Sequence, residues 1–166
     1  MDNPLYPGVN VPNKIIVHHT AYAPRVPQYA LVNQWHKDRD FPLSELGSYV
    51  GYQYLIEFDG SVTQCRKETE GGAHTIGENW QSVGICLAGD FSQEQPTEQQ
   101  AQALTKLMEG VIERNNIAPD QVFPHRHFND TTCYGTLLSD EWAKEQLGNL
   151  IPALNQELEM CFNSTK

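Results

Sequence analysis

The sequence predicts an α/β fold in a single domain, with a central mixed β-sheet flanked by helices. Two short runs of β-branched and apolar residues, 14–17 and 82–88, are typical of buried strands. A long helical pattern follows in the second half of the chain, and strands that alternate with helices build a sheet with helices packed on it. The chain has 166 residues, which is enough for one hydrophobic core but not comfortably for two.

The first strand, predicted over residues 14–17, ends in two adjacent histidines, His18 and His19. Consecutive side chains of a strand point to opposite faces of a sheet, so one imidazole can face a site while the other packs or meets solvent. A histidine held at the end of a buried strand is well placed to bind a metal, although a hydrogen-bonded structural histidine is the more frequent finding. The strand alone leaves both roles open.

A first helix and a β-hairpin follow. Residues 28–39 show helical spacing, and we assign His36 to packing or to the surface. The apolar face of this helix is formed by Tyr29, Val32 and Trp35. Residues 49–58 and 61–66 predict two strands, because an Asp-Gly pair between them favours a tight hairpin turn. The polar, glycine-containing segment 67–81 predicts a loop.

The second helix carries signals at both ends. Thr97 can cap its start, and Gln100 stands at the reciprocal position of a capping box. Two asparagines at positions 115–116 suit its C-terminal end. Apolar residues recur between these ends at the spacing of one helical face: Ala103, Leu104, Leu107, Met108, Val111 and Ile112.

The remaining segments are less regular. Residues 120–138 predict a loop that holds a cluster of histidines and a cysteine. Residues 140–158 follow a helical pattern that a glycine and a proline interrupt. Residues 1–13 predict an extended N-terminal arm, which leaves residues 14–166 as a single domain.

The composition is that of an ordinary globular protein with a strongly acidic balance. A net charge of −10 argues against nucleic acid and against an anionic membrane, and leaves a neutral or amphoteric polymer open as a partner. No apolar run approaches the length of a membrane span, and the start of the chain shows no secretory signal. Four scattered cysteines fit no disulfide-dense scaffold, so we expect reduced thiols in a chain made in the cytoplasm.

A metal site is the sharpest chemical hypothesis that the residues support on their own. His18, His125 and Cys133 offer two imidazoles and one thiolate from three separate points of the chain. Catalytic zinc sites take three protein ligands and keep a fourth position open, whereas structural sites are usually closed by four. His127 is a rival to His125, and two unrelated histidines beside a buried thiol are the alternative. The other thiols lie in or beside predicted strands and helices, where buried cysteine is usually inert: Cys65, Cys86 and Cys161.

Four segments occur in the order and spacing of one protein family. They are KIIVHHTA, VGYQYLIEFDGSVTQCR, GGAHTIGENWQSVGICLAGDF and PHRHFNDTTCYG. In these segments the chain resembles the zinc-dependent N-acetylmuramoyl-L-alanine amidases of type 2, which include amidase-type phage endolysins and the peptidoglycan recognition proteins. The resemblance runs from about residue 14 to residue 142 and implies a single catalytic amidase domain over residues 14–166.

The resemblance implies one catalytic Zn²⁺ held by three residues. The ligands of the family match His18 after the first strand, His125 at the start of the His-Arg motif, and Cys133 eight residues further on. One departure is visible, because Tyr134 stands where the family usually has a proline after the cysteine. The change frees a backbone φ angle and restores an N–H donor, so it puts the rigidity of the loop in doubt more than the chemistry.

The same resemblance implies catalytic and substrate-binding residues. Tyr52 matches the catalytic tyrosine of the family, with a half-buried strand tyrosine as the alternative. Thr131 matches a position that can add a hydrogen-bond donor at the oxyanion. His74 matches a loop histidine beside the substrate groove, although an exposed loop position would also explain it. We expect His19 to contact substrate as well, with a structural role as its alternative.

The implied function is hydrolysis of the amide between the lactyl group of N-acetylmuramic acid and L-alanine in peptidoglycan. The expected partners of this protein, which we expect to be a monomer, are peptidoglycan and muropeptides, without nucleic acid or a membrane span. The alternative is a non-catalytic module that recognises muropeptides, but Cys133 together with Tyr52 favours the enzyme. A cytosolic recycling amidase would carry aspartate in place of Cys133. We expect a phage or bacterial protein that acts on the cell wall.

Overall fold

The computed structural model describes residues 9–148, which contain one five-stranded mixed β-sheet. Its strands are β1 (Lys14–His19), β2 (Tyr54–Ile56), β3 (Val62–Gln64), β4 (Ser82–Leu87) and β5 (Val122–Pro124). They lie side by side in the order β3-β2-β4-β1-β5. Strands β2 and β3 are antiparallel, whereas β1 is parallel to both β4 and β5, and β2 is parallel to β4. The predicted α/β class with a mixed sheet is confirmed.

Three α-helices accompany the sheet within the described residues: α1 (Tyr29–Lys37), α2 (Glu98–Asn115) and α3 (Trp142–Gly148). The Thr97 side chain accepts a bond from the Gln100 backbone, and the Gln100 side chain accepts one from the Thr97 backbone, which confirms the predicted capping box. Helix α2 is closed by Asn116, whose φ of 53° is left-handed. The helix predicted over residues 140–158 is confirmed as far as α3, and its remainder lies outside the described residues.

The two faces of the sheet carry separate apolar layers. Side chains alternate along a strand, so β1 sends Ile15 and Val17 into the main core, which α2 covers. On the opposite face, Leu55 of β2 packs with buried side chains that include one from α1. The alternation matters most at the end of β1, because it turns His18 and His19 to opposite faces of the sheet.

The structure corrects two of the sequence predictions. The segment 120–138, predicted as a loop, contains β5 and a turn of 3₁₀-helix over His125–His127. Strand β5 has only three residues and ends in a proline, so its local signal is weak. The strand predicted over residues 49–58 is shortened to β2. The chain before β2 is irregular, and the Gly51 amide there donates to Nδ1 of His36 at 2.9 Å instead of to a neighbouring strand.

Asn10 fastens the described part of the N-terminal arm to the domain. Its side-chain amide donates to the carbonyls of Glu68 and Ser82, both at 2.8 Å. Residues 1–8 lie outside the described residues, and the boundary between arm and domain at residue 13 stays a prediction. No helix in the described range is both long and apolar enough to span a membrane.

Candidate metal centre and active site

Three predicted ligands meet at one edge of the sheet. His18 is the penultimate residue of β1, and His125 directly follows β5, the parallel neighbour of β1. Because the carboxyl ends of parallel strands meet at the same edge, residues more than 100 positions apart come together. Cys133 completes the group, and the candidate ligand atoms of the three side chains all lie within 4.8 Å of one another. We call this group the metal cluster.

The spacing and chemistry of the metal cluster fit a zinc ion. Zinc–nitrogen bonds of about 2.0–2.1 Å and zinc–sulfur bonds of about 2.3 Å place tetrahedral ligand atoms roughly 3.3–3.6 Å apart. The Cys133 Sγ and His18 Nδ1 atoms are 3.7 Å apart, close to that separation. Across residues 9–148, this is the one group of three or more histidine, cysteine or acidic side chains with such spacing. Three protein ligands without a fourth are typical of a catalytic site.

The protonation states of the histidines also suit metal binding. Burial and the neighbouring His74 and His125 lower the pKa of His18 well below its usual value. Burial lowers the pKa of His125 as well. Both imidazoles are therefore neutral near pH 7, the form that binds a metal. Burial raises the pKa of the Cys133 thiol to about 12, so a bound cation is needed to hold its thiolate form.

Each histidine of the metal cluster has its second nitrogen engaged. His18 Nε2 lies 3.1 Å from His74 Nδ1 and 3.4 Å from the Thr75 hydroxyl. His125 Nε2 lies 3.0 Å from the side-chain oxygen of Asn129. Such contacts fix the tautomer and orientation of a metal-binding histidine. They leave Nδ1 of each imidazole free to face a metal.

The ring of His74 occupies a slot built from glycines. A Cβ atom at Gly84 of β4 would come within 2.7 Å of this ring, and one at Gly72 within 2.3 Å. Burial lowers the pKa of His74 to about 3, so its ring is neutral. Its Nε2 atom is buried without a partner among the described residues. The Nδ1 atom of His74 contacts His18 and, at 2.9 Å, the Thr75 hydroxyl, and its predicted substrate contact stays a prediction.

Tyr52 stands beside the metal cluster, two residues before β2. Its ring centroid lies 4.9 Å from that of His18. Burial, followed by the effects of Cys86 and Cys133, raises the pKa of Tyr52 well above its usual value. The phenol is therefore a neutral hydrogen-bond donor across the physiological pH range. Its predicted catalytic role stays a prediction that this position supports.

Thr131 lies in the loop that carries Cys133, which we call the ligand loop. Its hydroxyl oxygen accepts a hydrogen bond from the Cys133 backbone N–H at 3.3 Å. A hydroxyl that accepts through its oxygen still has its proton to donate. Thr131 thus holds the ligand loop and keeps a donor available beside it.

His19 is turned away from the metal cluster. It is 6% exposed, and its Nδ1 accepts a hydrogen bond from the Phe91 backbone at 3.0 Å. Burial lowers its pKa to about 4, although Asp90 acts in the opposite direction. This contact ties the end of β1 to the chain after β4. The backbone carbonyl of His19 lies 4.0 Å from Cys133 Sγ, but its side chain does not join the metal cluster, and its predicted substrate contact stays a prediction.

The neighbours of His125 have structural contacts. His127, the rival ligand, is exposed and stacks on Phe123 at a centroid distance of 4.6 Å, outside the metal cluster. Arg126 pairs with Asp140 at 2.5 Å. Its other nitrogens donate to the carbonyls of Gly135 and Leu138. These bonds close the ligand loop.

Tyr134 anchors the ligand loop in place of the usual proline. Its side chain is fully buried, and its hydroxyl donates to the Ser139 carbonyl at 2.8 Å. The guanidinium of Arg126 lies 5.3 Å from the centre of its ring. The Cys133–Tyr134 peptide bond is cis. The rigidity that the sequence put in doubt is supplied by burial of a large aromatic ring next to the ligand.

A cavity that the sequence did not predict lies beside Tyr52. It has a volume of about 290 Å³, and its lining includes Tyr22, Trp35, His36 and Arg39. For Trp35 and His36 the sequence predicts only packing or a surface position. One signal was available, because Trp35 and Arg39 are four residues apart at the end of a helix and therefore share a face.

Comparison with known proteins identifies the class that this fold and site define. The sequence matches the N-acetylmuramoyl-L-alanine amidase family over residues 8–136, and the chain belongs to that family. Among solved structures it is similar to the N-acetylmuramoyl-L-alanine amidase LysC from Clostridium intestinale. The two are 29% identical, with a TM-score of 0.72 over 88% of this chain and 94% of LysC.

Further relatives come from an insect and a phage. Peptidoglycan-recognition protein SC2 of Drosophila melanogaster is 29% identical over 128 residues, which cover 76% of this chain and 70% of that protein. The endolysin of Escherichia phage T7 is 28% identical over 121 residues, which cover 70% of this chain and 75% of the endolysin. The predicted family resemblance is confirmed.

Proposed function

We propose that this protein is a zinc-dependent amidase that hydrolyses the bond between the lactyl group of N-acetylmuramic acid and L-alanine in peptidoglycan. The observation that carries the proposal is the convergence of His18, His125 and Cys133 into an open three-ligand cluster beside Tyr52. Membership of the amidase family supports the choice of bond. The protein would act as a monomer on the bacterial cell wall, where this bond occurs.

The side chains of the site have separate roles in metal binding and in hydrogen-bond donation. A zinc ion held by the three ligands would polarise the scissile carbonyl and lower the pKa of a water molecule. Tyr52, kept neutral by burial, donates a hydrogen bond to the oxygen on which negative charge develops. Thr131 offers a second donor from the ligand loop. Because its hydroxyl is neutral, it contributes less charge stabilisation than a cationic side chain would.

His74 and Asn129 prepare the ligands for this role. With Nδ1 of His18 directed at the metal position, its Nε2 carries the proton and donates to His74 Nδ1. His125 donates in the same way to Asn129. Both imidazoles are thus held in one tautomer before a metal arrives, which reduces the reorganisation that binding requires.

The test joins zinc content with mass spectrometry of digested peptidoglycan. We expect about one zinc per chain and new free L-alanine amino termini for the wild type, and loss of both in Cys133→Ser. Cys65→Ala is the matched control, because Cys65 is a buried thiol that packs with Leu55 and is not part of the metal cluster. It should keep the metal and the activity.

One outcome would replace the proposal. A zinc-loaded wild type that binds muropeptides but releases no alanine termini would be a recognition module instead of an enzyme. Thermal melts of both variants show whether a loss reflects the site or the fold.

A further inference from the structure

The cavity beside Tyr52 combines aromatic walls with one cationic group. Tyr22 and Trp35 form an edge-to-face pair with ring centroids 5.3 Å apart. Arg39, one residue beyond the cap of α1, lines the same space and is the one lysine or arginine in its lining. Aromatic rings offer flat apolar contact, while a guanidinium offers a charged, two-pronged donor. We call this space the Arg39 cavity.

The guanidinium of Arg39 is available for a ligand. No carboxylate among residues 9–148 pairs with it, although Asp38 and Asp40 are its neighbours in sequence. By contrast, Arg25 and Arg114 are paired with glutamates at 2.7 Å and 2.6 Å. An exposed, unpaired arginine beside aromatic rings is suited to a carboxylate, because its planar fork matches both carboxylate oxygens.

His36 in the lining of the Arg39 cavity is neutral and has two fixed contacts. His36 accepts a hydrogen bond from the Gly51 backbone at 2.9 Å and stacks on Phe41 at 4.5 Å. Burial, with Arg39 and Arg66 adding to it, lowers the pKa of His36 to about 4. A neutral His36 adds no second positive charge, so the charge preference of the cavity depends on Arg39.

The Arg39 cavity lies one aromatic ring away from the metal cluster. Tyr52 is 4.9 Å from His18 on one side and 5.5 Å from His36 on the other, measured between ring centroids. In peptidoglycan, D-glutamate follows L-alanine and is joined onward through its side chain, so its α-carboxylate stays free. With consecutive Cα atoms 3.8 Å apart, that carboxylate lies about 7 Å from the scissile carbonyl. Because Tyr52 both lines the Arg39 cavity and lies beside His18, the cavity adjoins the metal cluster at this ring.

We propose that the Arg39 cavity binds the free α-carboxylate of the D-isoglutamate residue of the stem peptide. The proposal rests on the amidase function proposed above and adds a specificity to it. The enzyme distinguishes stem peptides that carry a free α-carboxylate at this residue from those in which the carboxylate is amidated. Amidation to D-isoglutamine removes the charge that Arg39 recognises, so we expect about tenfold lower kcat/KM for the amidated stem.

The experiment compares two synthetic substrates, N-acetylmuramoyl-L-alanyl-D-isoglutamate and its D-isoglutamine counterpart. The wild type should cleave the first about tenfold more efficiently. Arg39→Gln should lower kcat/KM for the isoglutamate substrate to the value for the amidated one. Lys37→Gln is the matched control, because Lys37 is an exposed cation near the same helix end that does not line the cavity. It should keep the preference.

Equal cleavage of both substrates by the wild type, or an unchanged preference in Arg39→Gln, would overturn the inference. Calorimetric titration of the zinc-loaded protein with the same two compounds separates this inference from the proposed function. A binding preference for isoglutamate that Arg39→Gln abolishes supports the inference even if neither compound is cleaved. In that case only the amidase activity fails. Equal binding of both compounds overturns the inference by itself.

Discussion

Replacement of His74 by alanine should weaken zinc binding without touching a ligand. The change removes the 3.1 Å contact between His74 Nδ1 and His18 Nε2. Loss of such a partner typically costs about 10- to 100-fold in metal affinity, or about 1.4–2.8 kcal/mol. The Thr75 hydroxyl, 3.4 Å from the same nitrogen, remains as a weaker partner. We therefore expect a loss of about tenfold, at the lower end of that range.

The assay is competition for zinc with a chelator of known affinity, at fixed pH. His74→Asn serves as the conservative variant, because an amide oxygen can accept the His18 N–H and should restore part of the affinity. His127→Ala is the matched control, since this exposed histidine stacks on Phe123 away from the metal cluster. Its affinity for zinc should equal that of the wild type. A spectrum of the cobalt-substituted protein reports whether the ligand geometry has changed.

Two results would refute the orienting role of His74. One is an unchanged zinc affinity in a folded His74→Ala variant. The other is an equal loss in His74→Ala and His74→Asn, which would show that ring packing against Gly84, and not the hydrogen bond, matters. Thermal melts in the absence of zinc show whether the fold itself has weakened.

Three further variants test other parts of the structure. Tyr52→Phe should lower kcat about 100-fold or more with unchanged zinc content, because it removes one hydroxyl donor. Activity near that of the wild type would contradict the role assigned to Tyr52. Tyr134→Phe should lower the free energy of unfolding by about 1 kcal/mol, and Tyr134→Ala by about 3–5 kcal/mol. Urea unfolding measures both, and equal effects would mean that the hydroxyl, not ring burial, holds the loop. Thr97→Ala should lower the free energy of unfolding by about 1 kcal/mol, because it removes the helix cap. A decrease of less than a few tenths of a kcal/mol in the same assay would argue against the capping box.

The local signals in the chain were sufficient for several elements. The capping box of Thr97 and Gln100 depends on residues three positions apart, so sequence and structure agree there. The apolar run of β4 likewise carries its own evidence. Strand β5 has three residues, and its pairing with β1 joins positions more than 100 residues apart. A strand that short is defined by its neighbour in the sheet, and residues 120–138 by themselves could not reveal it.

By itself, the sequence determined the residue types of the site and, through strand alternation, that only one of His18 and His19 could face it. The family resemblance already favoured His125 over His127, and the turn that follows β5, with the parallel pairing of β5 and β1, places His125 in the metal cluster and His127 outside it. Only the tertiary structure brought His74 against His18 and placed Arg39 in a cavity beside Tyr52. The physical reason is the distance along the chain over which each interaction acts. Caps, turns and side-chain alternation act within a few residues, whereas these contacts depend on sheet register and on loops that return from distant parts of the chain.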